Sequence, residues 1–292
     1  MKSILVCVNG TAGDRTVLHA ALQVGRLFNA HLHCLHVEPD RASLIGRAAN
    51  VELTSAMLLT DAVRALEAEA AKRREHARAA FFAFSEDGHL PTLEQPQSSA
   101  SVSVSWHEET GKPANRLLYE ARFHDLVVAS NAGGRDVIFS EDDLGRLVVS
   151  AGRPLLLVPS VMRDAAFKRI GIAWKSCPEA ARAVIAALPL LEKAGTITVF
   201  NVNEQTGEAE ARNLALDEVK TYLEWHALSA RTVVVEPGSE DVCEAVMNRA
   251  VDARIDLLVM GGFGRSRLSE FVLGGFTQRI LDGCPLPVLI FH

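Results

Sequence analysis

Short apolar runs alternate with longer stretches whose apolar residues recur every three or four positions, the signature of strands alternating with amphipathic helices. The second half reads most cleanly. Its pattern predicts a strand over 168–174, then a helix that Pro178 opens at its first position and that Ala180, Val184, Ala187 and Leu191 carry until Gly195. A nearly continuous apolar strand over 196–202 follows, as expected for a parallel strand buried on both faces. Next come a long helix over 209–228 with Leu214, Val219, Leu223 and His226 facing inward, and a strand over 232–235 broken by Glu236-Pro237-Gly238. A helix over 242–254, a strand over 257–260, a helix from about Gly275 and a strand over 288–291 complete the half.

The first half follows the same order: strands over 4–8, 31–37, 101–106, 126–129 and 155–158, with helices over 14–29, 61–84 and 112–123. It adds a segment, Glu38–Thr60, where the second half has only a short link. The apolar residues Leu44, Ile45, Met57, Leu58 and Leu59 suit that segment either to cover the first-half crevice or to contact a partner. The halves also repeat each other: His124-Asp125-Leu126-Val127-Val128-Ala129-Ser130 returns as Ile255-Asp256-Leu257-Leu258-Val259-Met260-Gly261, 131 residues on. A period this long is a duplicated domain rather than a solenoid. The expected fold is α/β: two tandem doubly wound domains, 1–160 and 167–292, each with a five-stranded mainly parallel sheet and joined through Pro159–Phe167.

Composition narrows the class. At 292 residues, 48% hydrophobic and 23% charged, the chain can bury real cores, and a net charge of -6 argues against nucleic acid as partner. No apolar run reaches the roughly 20 residues of a membrane span, and Met1-Lys2-Ser3 leads straight into a strand-like run, so a cytoplasmic protein is expected. Five cysteines without a CxxC do not read as a disulfide framework.

In an open α/β sheet ligands bind beyond the carboxyl ends of the strands. The candidate segment there runs from Gly261 to Thr277. Gly261 and Gly264 permit a tight turn and a close ligand approach, while Gly274 and Gly275 precede a helix whose first amides and dipole favour a phosphate. Ser266, Ser269 and Thr277 offer hydroxyls, and Arg265 or Arg267 a positive charge. Gly261-x2-Gly264-x9-Gly274 resembles the nucleotide-binding signature of the universal stress protein family, and the strand order extends that resemblance over nearly the whole chain as a tandem member.

The resemblance implies an adenine nucleotide hydrolase-like architecture and an ATP, ADP or AMP ligand, with Mg²⁺ as a companion ion. Its phosphates and ribose would meet the glycine loop, including Phe276, and its adenine the strand ends at Ala173, Trp174, Val202, Asn203 and Gly238. Two positions depart from the family pattern: Gly275 stands where a hydroxyl residue follows the third glycine, and Trp174 or Lys175 where strand 1 often ends in an acid. In the first half, Glu141-Asp142-Asp143 falls near the place of Gly274-Gly275, where carboxylates would repel phosphate or cap the next helix. One nucleotide site per chain, in the C-terminal half, is therefore expected. The resemblance also implies that the halves pair as an intramolecular pseudo-dimer through their last strands, Leu155–Val158 and Val288–Phe291, with homodimers of whole chains a further option.

Other signals are weaker. Strand alternation puts His31 and His33 on one face and Cys34 and His36 on the other, so they do not form one metal site without ligands from elsewhere. Cys177 at a helix start is a candidate thiolate or a small cap, and His107, Glu108 and Glu109 at the end of a strand are acid/base candidates whose neighbouring side chains diverge. Glu67, Glu69, Lys72, Arg73, Arg74 and Glu75 read as a solvated helix face. No nucleophile with an orienting partner stands out. Three functions remain open: a nucleotide-binding stress or regulatory protein, a slow ATP hydrolase or adenylyl-transfer enzyme, and a ligand-free interaction module.

Overall fold

The computed structural model describes residues 1–49, 56–97, 101–131, 141–162, 166–202, 209–236, 238–263 and 275–292. The first half runs β1 (Ser3–Cys7), α1 (Asp14–Phe28), β2 (His31–Pro39), α2 (Arg41–Ala49), α3 (Ala56–Asp87), β3 (Ser103–Gly111), α4 (Pro113–Ala121), β4 (Leu126–Ser130), α5 (Glu141–Ser150) and β5 (Leu155–Val158). The second runs β6 (Arg169–Trp174), α6 (Pro178–Leu191), β7 (Thr196–Val202), α7 (Ala209–Trp225), β8 (Ala230–Val235), α8 (Val242–Asp252), β9 (Leu257–Gly261), α9 (Gly275–Asp282) and β10 (Val288–Phe291).

The strands form one sheet in the order β3-β2-β1-β4-β5-β10-β9-β6-β7-β8. Within each half every pairing is parallel, and β5 and β10 join the halves antiparallel, with Leu156 opposite Leu289. That contact leaves neither apolar last strand as an edge. Helices cover both faces. One core gathers Ile4, Val6, Leu32, Phe81, Ile172, Val184 and Leu223 under α1, α3, α6 and α7, and the other gathers Leu5, Leu35, Leu117, Leu147, Leu258 and Ile280 under α4, α5, α8 and α9. Asn131, buried, reaches across the halves: its amide donates to the Ile280 carbonyl in the last turn of α9 and to Cys284 Sγ at 3.0 Å. No described helix is long and apolar enough to cross a membrane, and all five cysteines are free.

Two expectations need correction. β3 runs on to Gly111 rather than ending near 106, because β2 continues beside it in register through Pro39↔Gly111. His107, Glu108 and Glu109 therefore lie within a strand and point alternately to its two faces: Glu109 pairs with Arg116 of α4, and Glu108 accepts from Trp106 Nε1 and meets Arg78 of α3. His226 is exposed rather than inward, since α7 stops at Trp225 and Ala227 turns left-handed. The Glu38–Thr60 segment holds a helix, α2, which buries Leu44 and Ala48.

Candidate functional site

The carboxyl ends of β6, β7 and β9 meet the first turns of α6 and α9 at one end of the second-half sheet. Gly261 closes β9 directly against α6: a Cβ there would lie 2.5 Å from the Ala180 amide nitrogen and 2.6 Å from the Glu179 carbonyl carbon. Gly262 is constrained less severely, its missing Cβ falling 2.9 Å from side-chain atoms of Ile290 and of Val148 in the other half. The glycines that begin the predicted loop are thus demanded by packing, and the close approach at Gly261 is that of helix backbone. Phe263 follows with φ of 55°, and its N–H points to Thr277 Oγ1 at 3.5 Å. That contact draws the end of β9 and the first turn of α9 together.

The predicted residues fall into separate groups. Gly275 is exposed at the first position of α9 and a Cβ there would meet nothing described within 4 Å, while Thr277 is buried and Phe276 packs against the α8–α9 core. Ala173 and Trp174 end β6 half-buried, each packing against one of the cores. Gly238 lies in the exposed turn after β8, with φ of 61°. Val202 ends β7. Gly264, Arg265, Ser266, Gly274 and Asn203 lie outside the described residues, as do Arg267 and Ser269.

The structure adds two residues. Asn201, buried beside Trp174 in the β6–β7 register, donates its Nδ2 to the Trp174 carbonyl at 3.2 Å. Glu179 is buried in the first turn of α6, where a carboxylate complements the helix dipole. Trp174 Nε1, Asn201 Oδ1 and Glu179 Oε2 are buried polar atoms without a hydrogen-bond partner among the described residues. Period-two reading selects strand ends but does not say which polar side chain is buried there, so Asn201 carried no sequence signal. Cys177 caps α6 through its extended backbone, and burial, with Glu179 nearby, raises its thiol pKa, which disfavours a thiolate.

The matching end of the first half is built differently. Ile4 pairs with Leu126 as Ile170 pairs with Leu257, so Gly10 corresponds to Ser176 and Ser130 to Gly261. The small residue has changed sides: Ser130 stands on the strand, and Gly13 in the facing turn would put a Cβ 2.9 Å from the Ser130 hydroxyl. Gly10, with φ of 73°, lies under α3, since a Cβ there would sit 2.1 Å from the Arg73 carbonyl oxygen. Asp14 holds this turn from inside, accepting the N–H groups of Asn9 at 2.9 Å and Gly10 at 2.7 Å; burial raises its carboxyl above the ordinary range. Beside the turn, α2 and α3 enclose a cavity of ≈ 40 Å³ lined by His36, Leu44, Leu66, Ala70 and Arg73. It has room for a few waters. Asp143 stands 4.0 Å from Arg146, while the side chains of Glu141 and Asp142 lie outside the described residues.

Comparison with known proteins agrees with this architecture. The chain is 25% identical over 310 residues to universal stress protein Slr1230 of Synechocystis, covering all of both chains. Its fold is similar to the crystal structure of a universal stress protein from Archaeoglobus fulgidus, with a TM-score of 0.69 at 13% identity over 99% of this chain and 97% of that one. A putative universal stress protein from Pseudomonas aeruginosa aligns with a TM-score of 0.55 at 14% identity, over 100% of this chain and 93% of that one. The model of the universal stress protein family matches residues 1–135 and 166–292, so both halves are copies of that domain and the chain belongs to the universal stress protein family.

Proposed function

We propose that the chain binds one adenine nucleotide (ATP, ADP or AMP) at the carboxyl end of the second-half sheet, and that it acts as a nucleotide-dependent stress or regulatory protein. The observation that carries this reading is the convergence of β9 and α9: Phe263 N–H reaches Thr277 Oγ1, so the two ends of the glycine-spaced segment share one location. Gly275 lies exposed at a helix start, where unpaired amides and the positive end of the dipole suit a phosphate. Lys175, exposed at the end of β6, adds a positive charge to the same rim. Glu179 already complements the α6 dipole, which leaves the start of α9 rather than that of α6 to an anion.

Exposed Gly275 and Lys175 and the half-buried end of β6 support a nucleotide here. Gly264 and Gly274 would line its phosphates together with Gly275, Arg265 and Ser266, and Ala173, Val202, Asn203 and Gly238 would flank the base and ribose. Mg²⁺, if it accompanies ATP, would be held mainly by phosphate oxygens and water. The first half would not share the role, because α3 lies on the Gly10 turn where a ligand would enter. Paired through β5 and β10, the two halves would act as an intramolecular pseudo-dimer with a single ligand site.

Isothermal titration of the purified chain with ATP, ADP and AMP tests the reading. One equivalent should bind, Gly264→Asp or Gly274→Asp should abolish binding, and a ligand at 100 times its Kd should raise unfolding free energy by about 2.7 kcal/mol. No binding of any of the three at millimolar ligand would reject it.

A further inference from the structure

We propose that His33, Glu120 and His124 form a site for a divalent transition-metal ion between the first-half sheet and α4, towards the amino ends of the strands and away from the nucleotide crevice. The three residues each present a ligand atom, and these atoms lie within 4.8 Å of one another. They come from β2, the last turn of α4 and the link into β4, so the fold assembles a group that no local spacing encodes. His33 alone of the β2 histidines joins it. His36 is on the opposite face, where its Nδ1 meets the Val8 carbonyl at 2.9 Å, and His31 engages Ser103 Oγ and Ser105 Oγ through its two ring nitrogens at 2.9 and 3.0 Å.

The surroundings orient the ligands. Ser3 Oγ lies 2.6 Å from His124 Nδ1, and Ser105 Oγ lies 3.4 Å from His33 Nδ1. In the tautomer whose Nδ1–H donates to serine, each Nε2 is left with the free lone pair, the arrangement that outer hydrogen bonds impose on metal-bound imidazoles. His107 stacks on His33 with ring centroids 4.0 Å apart and steadies that ring from the β3 side.

Two imidazoles and one carboxylate suit Zn²⁺, Co²⁺ or Ni²⁺ and not the oxygen-seeking Mg²⁺ or Ca²⁺. Bonds of about 2.0–2.1 Å in a tetrahedron bring ligand atoms to roughly 3.3 Å apart. Small side-chain rotations close the gap, and three protein ligands leave the fourth position to water.

The test is titration of chelator-treated, full-length protein with ZnCl₂, read by calorimetry and by zinc content after gel filtration. One zinc per chain is expected, MgCl₂ should give no heat, and His226→Ala, far away at the end of α7, should bind as wild type does. His33→Ala and His124→Ala should each weaken zinc binding at least about tenfold, and Ser3→Ala, which removes an outer hydrogen bond, by about 10- to 100-fold. Should either histidine variant lose its circular dichroism, Glu120→Gln decides, since it keeps the size of a half-buried side chain and removes one ligand. No retained zinc in the wild type, or equal zinc affinity in wild type and Glu120→Gln, overturns the proposal.

Discussion

The tightest contact at the candidate site is also the easiest to perturb. In Gly261→Ala the new methyl would lie 2.5 Å from the Ala180 nitrogen and 2.6 Å from the Glu179 carbon, against 3.4–4 Å for an ordinary contact. Both neighbours are helix backbone and cannot rotate aside, so the first turn of α6 must retreat by roughly 1 Å from a close-packed interface. That movement drags on Ala180, Ala183 and Val184, which α6 buries. Overpacking of this kind costs about 1–3 kcal/mol, and the upper end is expected because no flexible side chain absorbs it. Gly275→Ala is the matched control: its methyl meets nothing described within 4 Å, and replacing a helical glycine gains up to about 1 kcal/mol. Urea denaturation followed by far-UV circular dichroism should move the Gly261→Ala midpoint down and leave the Gly275→Ala midpoint level or higher, with slopes unchanged. Equal stability of the two variants would refute the packing account of Gly261 and return that glycine to a purely ligand-directed role.

Asp14→Ala should cost about 1–3 kcal/mol, because the Asn9 and Gly10 amides lose their acceptor inside the first-half turn. The pH dependence has a definite sign: burial raises the Asp14 carboxyl in the folded chain above its ordinary 3.8, so the proton binds more tightly when folded and this contribution is lost as pH rises through the folded value. The margin of wild type over Asp14→Ala should therefore narrow from about pH 4 upward; a margin that widens over that range contradicts it. Asn131→Ala removes two side-chain hydrogen bonds across the halves and takes the Asn131 partner from the Ile280 carbonyl at the end of α9, so a loss of about 1–3 kcal/mol in thermal or urea unfolding is expected, and an unchanged midpoint would show that Asn131 does not secure the halves.

The alternation of strands and helices, the duplication and the family were legible in the sequence because each rests on local information. A period of two or 3.6 is written into neighbouring residues, and Gly261-x2-Gly264-x9-Gly274 is a fixed spacing within one segment. Partners distant in the chain decided the rest. β3 extends to Gly111 because β2 is there to pair with it, and His226 turns outward because α7 ends one residue earlier. Gly10 and Gly261 look alike as glycines, yet one lies under the backbone of α3 and the other against α6. His33 gains Glu120 and His124 as neighbours only after α4 has crossed the sheet, about ninety residues along the chain. Periodicity assigns a residue to a face, whereas the group it meets on that face depends on which non-local elements pack there, and that is a property of the folded chain alone.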